Sequence, residues 1–435
     1  MRQDHRTCLE SCLGGRRNMA VDETKTKYTI PVGLIHPALK EPIRLDLSID
    51  GEKILDVDVV VGQVHRGIEW LGMNRNNPIQ NIYLAERVCG ICNICHPFAY
   101  VMAVEQAAGI TPPARAEYIR VITAEMERIH SHLLWAGVAA HEIGFDSVFY
   151  FVWRVREEIM DLIEYVTGNR VTKAMFQIGG VRRDISEGQF PRIRQSLDYY
   201  KSIFAQLKTL FLDDKTIQMR TRNVGILKTE DALRLLAVGP TGRASGVPKD
   251  VRQDQPYGGY ADLDIKAITP DVLTGTVVGD VYDRIIVRLL EVKQAIEIIE
   301  QCLDEMPLGP LLFEPKAAKL LNMLTKVEGE GVGRAEAPRG EVVHYVRLEA
   351  GRETLSTWKI RAPTYANLMS IPAILKGGQI ADVPIAFASI DPCMSCTNRA
   401  IVVDSKTKNT SLLSYGELHK LSVEKTRRLE AKFGD

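Results

Sequence analysis

No stretch of this chain approaches the ~18 uninterrupted apolar residues that a membrane-spanning helix needs. Val57 to Val61 is too short, and Leu133 to Phe145 is broken by His141 and Glu142. A membrane span is therefore not expected, and any membrane association has to come through partners. Net charge is missing as well, since 55 Lys and Arg offset 55 Asp and Glu. Without a basic excess there is no electrostatic footprint for nucleic acid, and no nucleic-acid partner is expected. Arg16-Arg17 is followed by Asn-Met-Ala-Val-Asp instead of an apolar segment, which argues against a secretory leader. These absences point to a cytoplasmic protein whose thiols stay reduced. Internal repeats and low-complexity tracts are lacking too, and cysteine is scarce, with 8 in 435 residues.

Scarcity makes the placement of the cysteines informative. Glu86-Arg87-Val88-Cys89-Gly90-Ile91-Cys92-Asn93-Ile94-Cys95-His96 and Asp391-Pro392-Cys393-Met394-Ser395-Cys396-Thr397-Asn398-Arg399 carry Cys-x-x-Cys spacings at opposite ends of the chain. Such a pair puts two thiolates within reach of one soft metal centre, and two pairs supply a four-sulfur site. A zinc knot or a set of disulfides would use the same residues. Zinc ribbons, however, join their pairs across loops of ~15–20 residues, far shorter than the separation here. The fold itself must close the site, which favours a metal in a domain core. Arg87 is a candidate to neutralise thiolate charge or bond a ligand, against a surface ion pair with Glu86. His96 is a candidate donor to a thiolate, and Asp391 a carboxylate able to accept donors near the metal. Cys95 reads as a buried small hydrophobe more than as a ligand.

Around these motifs, residues 1–27 read as a polar tail, with Cys8 and Cys12 part of it. Residues 28–400 read as one unit, because the cysteine pairs tie its ends together. The remaining 401–435 form an extension with a charged helical stretch, Tyr415 to Lys432. Asp50-Gly51 predicts a hairpin turn between Ile43–Ile49 and Ile54–Val61. Apolar periodicity predicts helices over 77–87, from Pro113 to Gly144, and over 147–166, 190–212 and 280–303. The Gly- and Pro-rich 239–262 is expected to be a loop or irregular insert. Short strands are expected over 341–348 and 354–360, and an extended run over 384–390. The fold class expected is mainly α, an elongated helical bundle with small N-terminal and C-terminal β elements.

Taken together, Arg87-x-Cys89-Gly90-x-Cys92-x-x-x-His96 and Asp391-Pro392-Cys393-x-x-Cys396 resemble the large subunit of [NiFe] hydrogenases. Ile35-His36-Pro37-Ala38-Leu39-Lys40-Glu41-Pro42, His65-Arg66-Gly67-Ile68-Glu69, Gly179-Gly180-Val181-Arg182 and Gly279-Asp280-Val281-Tyr282-Asp283-Arg284 narrow the likeness. They are similar to the membrane-bound, energy-converting class and to the related quinone-site 49 kDa-type subunit of complex I. The resemblance implies nickel held by Cys89, Cys92, Cys393 and Cys396. Cys92 and Cys396 would also bridge to an iron carrying one CO and two cyanides. It implies a proton-relay role for Glu41, a guanidinium over the metals from Arg339, and cyanide contacts from Pro363 and Thr364. Cys393 is the implied first acceptor of the proton. The implied reaction is reversible cleavage of H₂ to protons and electrons. Since no iron–sulfur cluster is expected in this chain, electrons would pass through a small iron–sulfur subunit to ferredoxin. Integral ion-translocating subunits would place the chain peripherally on the inner face of the cell membrane. The alternative is a non-hydrogenase quinone or sulfane reductase subunit of the complex I-like kind, in which the four cysteines are not all kept. Arg399 stands where many relatives have a His at a maturation cleavage site, so the extension is either retained or removed.

Overall fold

Asp50 and Gly51 end a straight run of backbone that starts at Arg44, with Gly51 at φ 58° as a tight reversal requires. The computed structural model describes residues 27–33, 36, 39–397, 402, 403, 407, 410, 411, 413 and 415–433. Cys8, Cys12 and Arg399 lie outside the described residues. Strands β1 (Lys27–Val32), β2 (Arg44–Asp50) and β3 (Lys53–Val60) form an antiparallel sheet in that order. Leu45, Leu47 and Ile49 alternate inward along β2, as a half-buried strand dictates.

Helices dominate thereafter. Helices α1 (Ile68–Asn74) and α2 (Gln80–Glu86) lead into α3 (Cys95–Ala108). The long helices α4 (Ala114–Glu142), α5 (Asp146–Thr167), α6 (Phe190–Lys208) and α7 (Val281–Glu305) pack side by side. Pro113, extended at φ −65° and ψ 145°, starts α4, and the Asp280 carboxylate caps α7 by accepting from the Asp283 N–H.

Both α4 and α7 bury charged residues that their apolar periodicity leaves no room to expose. Arg128 meets Glu125 at 3.0 Å and Glu291 at 3.4 Å; Arg243 meets Glu291 at 2.7 Å; Arg252 meets Glu125 at 3.1 Å and Asp250 at 2.7 Å. Each of these charges has an opposite partner, the condition under which buried ions are tolerated.

Strands β4 (Gly329–Ala337), β5 (Gly340–Leu348) and β6 (Thr357–Arg361) form a second antiparallel sheet. Gly329, Gly331 and Gly333 share one face of β4 and lie directly on α3. A Cβ there would sit 2.4, 2.1 and 1.8 Å from the carbonyl oxygens of Ala107, Ala103 and Ala99. Backbone therefore packs on backbone, with small residues on both partners. At the tip of the β4–β5 hairpin, Gly340 is pressed against Gly239, whose own Cβ would meet Arg339 O at 2.4 Å. Helix α8 (Pro363–Leu368) follows β6, and α9 (Val383–Ala388) precedes the second cysteine motif. The tail ends in α10 (Tyr415–Phe433).

The architecture is mainly α with small sheets, as the sequence led one to expect. One local reading needs correction. Residues 384–390 are not extended: Pro384 sits in the first turn of α9, where its missing N–H costs nothing and its fixed φ suits a helix. Residues 239–262 form an irregular insert, as expected, that carries the short helices Gly239–Ala244 and Val251–Asp254.

Candidate metal centre

The first cysteine motif occupies the irregular turn between α2 and α3. Its exit is fixed by a buried carboxylate: Glu127 on α4 accepts from the N–H groups of Ile94 at 2.7 Å and Cys95 at 3.0 Å. Lys173, also buried, neutralises Glu127 at 3.1 Å. The second motif follows α9 through Asp391, which takes a left-handed φ of 54° before Pro392. Met394–Cys396 then form a single 3-10 turn.

These two turns, 304 residues apart in sequence, meet with Cys89 Sγ 3.3 Å from Cys393 Sγ. The sulfurs of Cys89, Cys393 and Cys396 lie within 4.8 Å of one another. Cys92 stands outside that mutual set, its sulfur facing the Arg339 Nη1 at 3.1 Å. All four thiols are free of disulfides and no more than 3% exposed. The backbone N–H of Cys92 donates to Cys89 Sγ at 3.2 Å. Thiol hydrogen bonds from Cys393, Cys396 and Cys92 pull Cys89 well below the usual thiol range. The hydrogen bond to Cys89, followed by burial, pushes Cys92 well above it. Thiol hydrogen bonds and burial together push Cys393 and Cys396 up as well.

Arg339 is held from several sides. Its Nη2 donates to Asp391 Oδ1 at 2.8 Å and its Nε to the Asp391 carbonyl at 2.9 Å. Asn367 bonds the Arg339 carbonyl at 3.3 Å. Glu41 Oε2 accepts from the Met394 N–H at 2.9 Å, and burial raises its carboxyl pKa. Thr364 Oγ1 accepts from the Cys393 N–H at 3.2 Å; Pro363 is buried beside it in the first turn of α8. His96 Nε2 lies 3.6 Å from Cys396 Sγ, and burial lowers its pKa to about 4.

Arg87 is a correction. Its guanidinium turns to the Tyr83 carbonyl and to Glu86, and its side chain is 54% exposed, so it does not reach the sulfurs. The cation that does serve the motif loops is Arg66, which donates to the carbonyls of Arg87 (3.0 Å), Val88 (2.8 Å) and Ser395 (2.8 Å). Arg66 and Glu127 act on motif backbone, and Lys173 acts through the Glu127 carboxylate, all over long sequence separations that no spacing rule marks. Cys95 is buried away from the sulfur set.

Comparison with known proteins finds two family models along the chain. The model for nickel-dependent hydrogenases matches residues 66–136, spanning the first pair. The model for the respiratory-chain NADH dehydrogenase 49 kDa subunit matches residues 142–399, spanning the second. The membrane-bound hydrogenase subunit alpha of Pyrococcus furiosus is 48% identical over 402 residues, covering 92% of this chain and 93% of that one. The chain belongs to the [NiFe] hydrogenase large-subunit and complex I 49 kDa family. Within this family, the carbon monoxide-induced hydrogenase of Rhodospirillum rubrum is 39% identical over 373 residues, covering 86% of this chain and 99% of that one. A solved structure of a membrane-bound sulfane sulfur reductase, an archaeal respiratory membrane complex, superposes with a TM-score of 0.79 at 30% identity. That match covers 87% of this chain and all of the other. Among the described residues, no helix is long and apolar enough to cross a membrane.

The donor set fits a nickel-containing group. Three soft, buried sulfurs from two loops lie within 4.8 Å of one another, with the fourth against Arg339, and a multivalent cation lowers the cost of ionising several thiols together.

Proposed function

We propose that this chain is the catalytic subunit of an energy-converting [NiFe] hydrogenase, working reversibly between H₂ and protons. The observation that carries this reading is the complete set of four buried cysteines at the meeting point of the two motif loops, with Arg339 against one sulfur. Cys89, Cys92, Cys393 and Cys396 would hold the nickel–iron group with its CO and cyanide ligands. Once bound, that group supplies heterolytic cleavage of H₂.

The rest is work for the chain's own residues. Arg339, pinned by Asp391, keeps a fixed positive charge at the sulfurs without side-chain rearrangement. Cys393 Sγ takes the released proton. Glu41 is anchored one residue further on and has a pKa raised by burial, so it can hold a proton and pass it outward. Thr364 and Pro363 shape the wall that a cyanide would face. The four other cysteines, Cys8, Cys12, Cys95 and Cys302, form no iron–sulfur motif. Electrons are therefore assigned to a separate small iron–sulfur subunit and ferredoxin, and ion translocation to membrane subunits that hold this chain at the inner face.

The likeness to the sulfane sulfur reductase supports a second reading, a subunit acting on quinone or sulfane sulfur. The full cysteine set favours the first. Infrared spectroscopy of the matured complex tests the choice. Metal-bound CO and cyanide stretches are expected; their absence together with absence of nickel would move the assignment to the second reading.

A further inference from the structure

Behind Cys396 lies a buried row of nitrogen groups that the proposed chemistry leaves unused. His96 Nδ1 is 3.1 Å from His344 Nε2, and the Trp358 indole N–H points at His344 Nδ1 at 3.2 Å. His96, His344 and Trp358 are no more than 1% exposed. An indole nitrogen is a donor only, so His344 Nδ1 must accept. The proton of His344 is then on Nε2, where it donates to His96 Nδ1. His96 must in turn carry its own proton on Nε2, which points at Cys396 Sγ at 3.6 Å. One tryptophan therefore sets the polarity of the entire row.

We propose that Trp358 is a positioning residue that fixes the tautomers of His344 and His96, so that the Cys396 sulfur receives an N–H donor. The ring is well held for this task. A Cβ on Gly72 would lie 2.1 Å from Trp358 Cε3, and Asn81 locks the Gly72 carbonyl at 2.9 Å. Tyr100 packs on the other side, its ring centroid 5.1 Å away. Donation to a metal-bound thiolate withdraws electron density from the sulfur and hence from the metal. His344 and Trp358 lie on β5 and β6, so the second sheet communicates with the sulfurs through this row.

The effect on the metal rests on the nickel–iron reading, whereas the tautomer assignment does not. Two measurements separate them. In protein labelled with ¹⁵N-histidine, His344 and His96 are expected to be protonated at Nε2 and not at Nδ1. Protonation of His344 at Nδ1 overturns the proposal, whatever metal is bound. In the matured complex, Trp358→Phe keeps the aromatic packing but removes the donor. Its CO and cyanide bands are expected to shift to lower wavenumber. The double variant with His344→Phe is expected to match His344→Phe alone, because both act through one row. Unshifted bands in folded, metal-loaded Trp358→Phe, or additive shifts in the double variant, overturn the proposal. Should Trp358→Phe not fold, the nitrogen spectra of the unaltered protein still decide. Absence of CO and cyanide bands from the unaltered complex would count against the hydrogenase reading and leave the tautomers to those spectra.

Discussion

Arg66 spends its guanidinium on three backbone carbonyls, two in the first motif loop and one in the second. A lysine keeps the charge but cannot present a planar fork to three acceptors. Arg66→Lys is expected to leave the fold intact and reduce nickel content after maturation, measured by metal analysis beside a circular-dichroism melt; full nickel occupancy would mean that the strap is dispensable. Cys393→Ser is expected to abolish H₂ turnover, and wild-type rates in that variant would sink the hydrogenase assignment. Glu41→Gln, which keeps the shape but not the titrating oxygen, is expected to retain nickel and slow H₂/D⁺ exchange by about a hundredfold. Loss of nickel in that variant would instead make Glu41 structural. The cysteines were legible in the sequence because spacing is local, whereas Glu41, Arg339 and Thr364 were legible only through family likeness. Arg87 was misassigned because proximity in sequence to Cys89 says nothing about which way a helix-end side chain turns. His344 and Trp358 offered no signal at all, since their partners come together only across folded sheets.

At the scale of elements, the contact between β4 and α3 tolerates no added atoms. Gly333→Ala would put a methyl 1.8 Å from the Ala99 carbonyl, and backbone cannot retreat as a side-chain tip can. A loss of at least about 2 kcal/mol is expected in thermal or urea unfolding; an unchanged midpoint would show that the sheet is free to lift from the helix. Asp250, which caps the short helix at 251–254, supplies a pH test. Burial pushes its carboxyl up, but Arg252 and then Arg243 outweigh this and hold it at about 2, below the ordinary 3.8. Because the folded value is the lower one, this stabilisation is complete above about pH 4 and is lost as pH falls toward 2. Asp250→Asn is expected to flatten that part of the stability profile, measured as melting temperature against pH. An identical acid limb in both proteins would assign the acid sensitivity elsewhere. The long helices were readable because apolar periodicity over many turns is redundant. Helix α9 was not: a six-residue apolar segment, Val-Pro-Ile-Ala-Phe-Ala, fits a strand or a helix equally until packing decides.

For the molecule as a whole, the sulfurs are the point at which segments from opposite ends of the chain are held together. Removing the metals is expected to raise amide exchange at 89–95 and 391–397 while α4 and α7 stay protected, because those helices carry their own paired charges. Uniform deprotection would show instead that the metal site organises the entire core.

The 304-residue separation between Cys89 and Cys393 is also an interval of time. At ~5–20 residues per second, a ribosome needs roughly 15–60 s to make the second pair after the first has been made. During that interval Cys89 and Cys92 have emerged, or are emerging, as a Cys-x-x-C pair with neither Cys393 nor Cys396 yet in existence. A nascent chain in this condition is open to any soft cation or oxidant. Under the proposed function, the order of synthesis therefore places metal insertion near the end of translation or after it.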